Sequence, residues 1–443
     1  MKRYDSYKDS GVEWIGDVPS HWEIVRMKYT CDFNGRIGFR GYSQADLVSE
    51  GEGAITLSPT NMNDIFVDYN KCSYLSWEKY YESPEIMVKQ GDVLLVKTAS
   101  VGKCSYVKTI PMECTVNPQI LVLKKHRQNP MFLTYLFQIP IGQTYIDLYK
   151  AGSTIYTLSE DKIGNFRFVF PNKKEQDIIV SYLDSKCGEV DKVISTQEKR
   201  IALLQELKQS IITHAVTKGL NPDVKMKDSG IDWIGEVPEH WSSYRIKYNT
   251  FLKGRIGWQG LKASEFLDEG YCLITGTDFD NNGGVNWDSC YRISKERFFE
   301  DKLLHVKEGD ILITKDGTVG KLALIKQLPE PASLNSHLLI VRQISNLVNN
   351  VFLYYCLLCS IFKEFTKYHQ TGSIMNSISQ DLFGYFKCFV PPLTEQQEIA
   401  SYLDKRCTSI DASISKAQRE IELLQEYKQS LITEVVTGKR KVC

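Results

Sequence analysis

"IALLQELKQSIITHAVTKG" (201–219) and "IELLQEYKQSLITEVVTGK" (421–439) are two versions of one segment within a chain of 443 residues. Each closes a longer run in which apolar residues recur at heptad spacing. In the first run Val180, Cys187, Ile194, Ile201, Lys208 and Ala215 share one heptad position, and Leu183, Val190, Gln197, Leu204 and Ile211 the other. In the second, Ala400, Cys407, Ile414, Ile421, Lys428 and Val435 pair with Leu403, Ile410, Ala417, Leu424 and Leu431. Heptads sustained this long, with few helix breakers, predict two long helices in a coiled coil, at 173–218 and 392–437. Thr394 with Gln397 reads as a capping box after Pro391 and Pro392, and Gly219 with Pro222 as a stop. Lys208 and Lys428 interrupt the two seams at equivalent places, as residues that fix register or meet a partner subunit do.

Working outward, the repeat takes in the whole chain. "DSGVEWIGDVPSHW" (9–22) returns as "DSGIDWIGEVPEHW" (228–241), with ten of fourteen positions identical. "GRIGFRG" (35–41) returns as "GRIGWQG" (254–260), and "GDVLLVKTASVGK" (91–103) as "GDILITKDGTVGK" (309–321). "GSTIYTLSEDKIGNFRF" (152–168) matches "GSIMNSISQDLFGYFKC" (372–388). The chain thus divides into a lobe (1–172), a helix (173–218), a second lobe (219–391), a second helix (392–437) and a short tail (438–443). Runs such as "AITL", "DVLLVK", "QILVLKK" and "FRFVF" between turn residues read as strands, and "MFLTYLFQIPIGQTYIDLY" (131–149) as the clearest helical stretch of a lobe. The fold class is therefore α+β, two similar mixed lobes separated by two long helices. Two equal units in one chain pair most simply about a pseudo-twofold axis. The helices then run antiparallel and hold the lobes apart on a rod of roughly 60 Å, at about 1.5 Å per residue.

Composition narrows the function classes. Hydrophobic and charged fractions of 42% and 24% are those of a soluble globular protein. No leader-like segment opens the chain, and the longest apolar run, "VFLYYCLLCSIF" (351–362), is too short to span a bilayer, so a cytoplasmic protein is expected. The twelve cysteines are then reduced thiols. The lone CxxC, Cys356 and Cys359, matches Leu136 and Ile139 in the other copy, so it reads as core packing, and no metal site is expected. Basic and acidic residues balance at 54 each, which excludes a bulk polycation but leaves local patches open.

The layout, with "WIGDVPSHW", "GRIGWQG", "GDILITKDGTVGK" and "EQQEIASYLD", resembles the specificity subunits of type I restriction–modification systems. That resemblance implies two target recognition domains, each reading one half of a bipartite site on double-stranded DNA, with the helix pair setting the spacer. It also implies partners: two methyltransferase subunits that carry S-adenosylmethionine, and restriction subunits that use ATP and Mg. This chain itself is expected to bind no cofactor and to catalyse nothing. The residues agree. No [N/D]PP[Y/F] tetrapeptide exists, "NPQI" (117–120) being the nearest. "TVGK" fails as a phosphate loop because Lys315 stands where its first glycine belongs and Leu322 follows Lys321. Two other readings stay open at this point: the recognition subunit of a related system that cuts on both sides of its site, and a non-catalytic two-headed coiled-coil adaptor.

The duplication also sorts candidate contacts. Phosphate contacts position and base contacts specify, so basic residues shared by both copies suit phosphates, and divergent residues suit bases. The shared set is Arg36 and Arg255, Lys97 and Lys315, Lys103 and Lys321, joined by the hydroxyls of Ser100 and Thr318, with Gly102 and Gly320 letting backbone N–H groups approach an anion. Asn117 with Gln119, and Asn335 with His337, occupy matching sites and suit either base contacts or backbone capping. In the divergent stretches Asn61, Asn63, Asn281, Asn282 and Arg292 have the side chains that pair with adenine and guanine edges, although Asn also favours turns. Trp14, Trp22, Trp233 and Trp241 read as packing residues, and His21 and His240 as structural.

Overall fold

The computed structural model describes residues 3–12, 15–150, 156–255, 261–280, 282–369 and 377–442. They form two compact units, residues 1–196 with 420–443 and residues 197–419. Neither unit is a lobe alone. Each combines one lobe with stretches of both long helices.

In the first unit a four-stranded antiparallel sheet runs Asp32–Gly35, Ile120–Lys124, Val93–Val96, Cys104–Tyr106. Side chains alternate across a strand, and here both faces are covered. Val93, Leu95, Leu121 and Leu123 face the helical side of the core, while Leu94, Val96, Ile120 and Val122 face a second sheet. That is why the "VLLV" within "DVLLVK" is a continuous apolar run instead of alternating. The second sheet runs Cys114–Val116, Gly53–Leu57, Ser73–Ser76, Leu47–Val48, its first pair parallel. A separate pair, Glu23–Arg26 with Arg167–Phe170, leads into the first long helix. The stretch read as one helix is two, Pro130–Gln138 and Pro140–Tyr149, because Ile139 precedes a proline and is extended (ψ 154°).

The second unit repeats this plan. Thr250–Gly254, Leu338–Gln343, Ile311–Thr314 and Leu322–Leu324 form its antiparallel sheet, and Tyr291–Ile293, Tyr271–Ile274 and Ala332–Leu334 its second sheet. Ile311 and Ile313 face the helices and Leu312 faces the second sheet. Cys356 and Cys359 are buried in the helical layer, and Cys359 donates to the Cys356 carbonyl.

The long helices span Lys173–Lys218 and Leu393–Val436. Gly219 (φ +77°) and Gly438 (φ +73°) end them in the left-handed region that favours glycine. The second helix already includes Thr394 in its first turn, with the Gln396 N–H donating to the Pro392 carbonyl, so Thr394 is not its cap. In the first unit Val180, Leu183 and Cys187 share a core with Leu431, Ile432 and Val435. In the second, Ile212, Ala215 and Val216 share one with Ala400, Leu403 and Cys407. In each unit the start of one long helix thus packs with the end of the other. Lys428 Nζ meets the Asp191 carboxylate at 2.6 and 2.9 Å, and Lys208 Nζ meets that of Asp411 at 2.7 Å to each oxygen. Every apolar seam residue is buried or half-buried; Ile194, Ile201, Leu204, Ile211, Ile414, Ile421 and Leu424 are the half-buried ones, while Leu183, Val190, Leu403, Ile410 and Leu431 are buried.

Candidate nucleic-acid interface

The loops after Val93–Val96 and Ile311–Thr314 gather most of the shared candidates. In the first unit Lys97 Nζ donates to Glu160 Oε1 at 3.0 Å, and Lys103 Nζ to Asn63 Oδ1 at 2.8 Å. Ser100 is exposed between them. In the second unit Thr318 and Lys321 are exposed, and Thr318 accepts a hydrogen bond from the Thr314 hydroxyl through its carbonyl. The two glycine amides turn inward. Gly102 N–H donates to the Val96 carbonyl and Gly320 N–H to that of Thr314, both at 2.9 Å, so they close the turn instead of facing an anion.

The Asn117–Gln119 and Asn335–His337 corners lie beside these loops, since Lys97 N–H donates to the Gln119 carbonyl and Lys315 N–H to that of His337. Asn117 Oδ1 accepts from Gln119 N–H and Asn335 Oδ1 from His337 N–H, an equivalent backbone cap in each unit. His337 Nδ1 lies 3.3 Å from Asp316 Oδ2. Gln119 Oε1 accepts from Asn117 Nδ2 at 3.1 Å, so the Gln119 and His337 side chains each have a partner beside the lysine loops.

Other candidates sit elsewhere. Arg36 and Arg255 are interior residues, 6% and 2% exposed. Arg36 donates to the Thr115 and Ser83 hydroxyls, and Arg255 to the Leu334 carbonyl and Ser333 hydroxyl. Burial pulls both guanidinium groups below their usual pKa. They brace the strands that neighbour them in the fold and do not face a phosphate. Asn61 is likewise buried: its Oδ1 accepts from Ser58 N–H and its Nδ2 donates to the Asp68 and Lys71 carbonyls. Asp278 does the same work in the second unit, accepting from Thr275 N–H at 2.7 Å. The base-reading assignment of Asn61 is therefore replaced by a strand-end cap. Arg292 is bound to Glu330 at 2.6 Å, Asn282 is exposed, and Asn281 lies outside the described residues.

The duplicated opening segment anchors the first turn of each long helix. His21 Nε2 lies 2.9 Å from Glu175 Oε2 and Trp22 Nε1 donates to Glu175 Oε1 at 3.3 Å. His240 and Trp241 hold Glu395 in the same way, at 2.7 and 3.1 Å. Both glutamates stand in the first turn of a long helix, where negative charge is favoured. Burial would raise the Glu175 carboxyl, but hydrogen bonds from Tyr4, His21 and Trp22 outweigh it and hold the group below the usual carboxylate range. Next to them, fully buried Gln176 and Gln396 accept from Asn129 N–H and Asn349 N–H and donate to the carbonyls of Pro171 and Pro391. Tyr135 binds Asp184, and Tyr355 binds Asp404. These residues weld each lobe to its helix. The shared Glu-Gln pairs at 175–176 and 395–396 were the available signal. Of the four tryptophans read as packing residues, Trp22 and Trp241 are buried, Trp233 is 59% exposed, and Trp14 lies outside the described residues.

Among the described residues, no cluster of three or more His, Cys, Asp or Glu could hold a metal ion, and no helix is long and apolar enough to cross a membrane. The loop edge offers cations, amides and hydroxyls, groups suited to binding.

Comparison with known proteins sets this geometry in context. A family model described as "Type I restriction modification DNA specificity domain" matches residues 48–206 and 258–423. Two proteins of Methanocaldococcus jannaschii are each 25% identical to the chain. One is a putative type I restriction enzyme MjaX specificity subunit, aligned over 97% of this chain and 96% of its own. The other is the type I restriction enzyme MjaVIII specificity subunit, aligned over 96% and 94%. A structure from work on complex assembly and conformational transition of the type I R-M system superposes with a TM-score of 0.68 at 16% identity, over 95% of this chain and 98% of that one, which establishes a shared fold.

Proposed function

The chain belongs to the type I restriction modification DNA specificity family, and from that membership we propose that it is the DNA-recognition subunit of a type I restriction–modification complex. Each lobe reads one half of a bipartite duplex site. The observation that carries this reading is the double family match, one to each lobe with part of its long helix, in a chain that two relatives match over nearly its whole length. The loop edges supply the cations and hydrogen-bonding side chains that such reading needs.

The long helices form the antiparallel coiled coil that sets the spacer and docks two methyltransferase subunits. The crossed pairs Lys428–Asp191 and Lys208–Asp411 support a fixed register. The chain performs no chemistry of its own. S-adenosylmethionine belongs to the methyltransferase partner, and ATP with Mg to the restriction partner.

A genome-wide map of methylated adenines, in cells with and without this gene, tests the reading. A two-part motif that vanishes with the gene is expected; an unchanged map contradicts it. The spacer role has its own test. A heptad inserted in both helices adds about 10 Å, which is about three base pairs at about 3.4 Å each. The half-sites should stay and the gap between them should lengthen. Sequence-indifferent binding by the assembled complex would leave a two-headed adaptor instead.

A further inference from the structure

Like charges face each other at one place in both units. In the first, Arg26 lies directly opposite Arg167 across the antiparallel pair that leads to the long helix. In the second, Arg245 lies opposite Lys387 at the matching register. Like charges directly opposite across a strand pair are destabilising. Among the described residues none of the four meets a carboxylate in an ion pair, although Lys387 Nζ lies 5.1 Å from the ring centre of Phe389.

A third cation stands beside each pair. Lys28 packs its stem against Gly164 and Lys247 packs against Gly384, where an added Cβ would lie 3.4 and 3.3 Å from the lysine Cβ. Their ammonium groups lie 5.4 Å from the ring centre of Tyr29 and 5.1 Å from that of Tyr385. Both tyrosines are more than half exposed. Gly164 ends the short helix Glu160–Gly164, whose first residue holds Lys97. The patch in the first unit therefore continues the loop edge described above.

We propose that each patch grips the phosphate backbone of duplex DNA, through Arg26, Lys28 and Arg167 in one unit and Arg245, Lys247 and Lys387 in the other. The proposal rests on the DNA-recognition reading and extends it to residues outside the loops. Three cations recur at matching places while the neighbouring loops diverge, the pattern expected of contacts that position the duplex without reading it. A polyanion also removes the repulsion that the free protein carries. A duplex read at the loop edge brings its phosphates to the adjoining patch, which favours DNA over an acidic protein surface as the occupant.

The test uses the full chain assembled with its methyltransferase partner, a duplex of arbitrary sequence and one carrying the mapped target. Arg26→Ala with Arg167→Ala should weaken both duplexes by the same factor. It should also lower the slope of log K against log salt by about two, at roughly 0.9 per phosphate contact. Tm should not fall, because a repulsion has been removed. Arg167→Glu places opposite charges across the same strands, so it should raise Tm while weakening binding further. An unchanged salt slope overturns the proposal, as does a loss confined to the target duplex. Failure of the variants to assemble with the methyltransferase in the absence of DNA would also overturn it and assign the patch to that partner. Wild-type binding that ignores the target sequence would sink the recognition reading, and the salt slopes of the variants would still judge the patch.

Discussion

The junctions between lobe and helix and the loop edges of the same lobes have diverged to very different degrees. At the junctions the two units use the same residues in the same roles: His21 and His240, Trp22 and Trp241, Glu175 and Glu395, Gln176 and Gln396. At the loop edges a shared frame carries different side chains or different partners. Asn117 and Asn335 cap the turn alike, but the residue that each cap holds is Gln119 in one unit and His337 in the other. Lys103 is held by Asn63, whereas Lys321 is exposed. The difference teaches where the duplicated chain was free to vary. The weld fixes each lobe on its helix, and the edge can be rewritten without disturbing the weld.

The largest expected effect breaks the weld. Trp22→Ala or Trp241→Ala removes a fully buried ring and should cost about 3–5 kcal/mol. Hydrogen exchange should rise first in the unit that carries the substitution. Gln176→Ala or Gln396→Ala leaves a backbone N–H unmet and should cost about 1–3 kcal/mol in a denaturant titration. Glu175 collects three side-chain donors and Glu395 two, so Glu175→Gln should cost more than Glu395→Gln in the same titration.

A smaller effect separates the units by pH. Burial lowers the His126 pKa to about 4, and no histidine stands between Arg342 and Asn349, the corresponding stretch of the second unit. A group whose folded pKa is depressed contributes stability above its unfolded value that is lost as pH falls through the folded one. The first unit should therefore lose on the order of 1 kcal/mol between about pH 6.5 and 4, after allowance for its partly exposed ring. His126→Gln should abolish that loss and leave the second unit's acid profile unchanged. The smallest effect is that of the interhelical pairs. Lys208→Met should cost less than about 1 kcal/mol, because both partners are partly exposed.

Much of this architecture was legible in the chain. Heptad spacing located both helices, because a seam buried along one stripe leaves a periodic trace. The repeat showed that there are two lobes. Three-dimensional convergence was not legible. Glu175 lies more than 150 residues from His21 in sequence, and no local pattern links them. Arg36 and Arg255 looked like anion ligands because a Gly-flanked arginine resembles an exposed loop, yet Gly35 and Gly254 belong to strands that turn those side chains inward. Asn61 has the chemistry of a base reader and of a backbone cap alike, and only burial distinguishes the two.

The central claim is that each lobe reads its own half of the DNA site. The direct measurement replaces residues 40–90, the divergent stretch of the first unit, with those of a family member of different specificity, and maps methylated adenines in cells carrying the hybrid. The account predicts that one half of the bipartite motif changes while the other half and the spacer stay as they were. A hybrid that folds and methylates with both halves changed, or with neither changed, would contradict it.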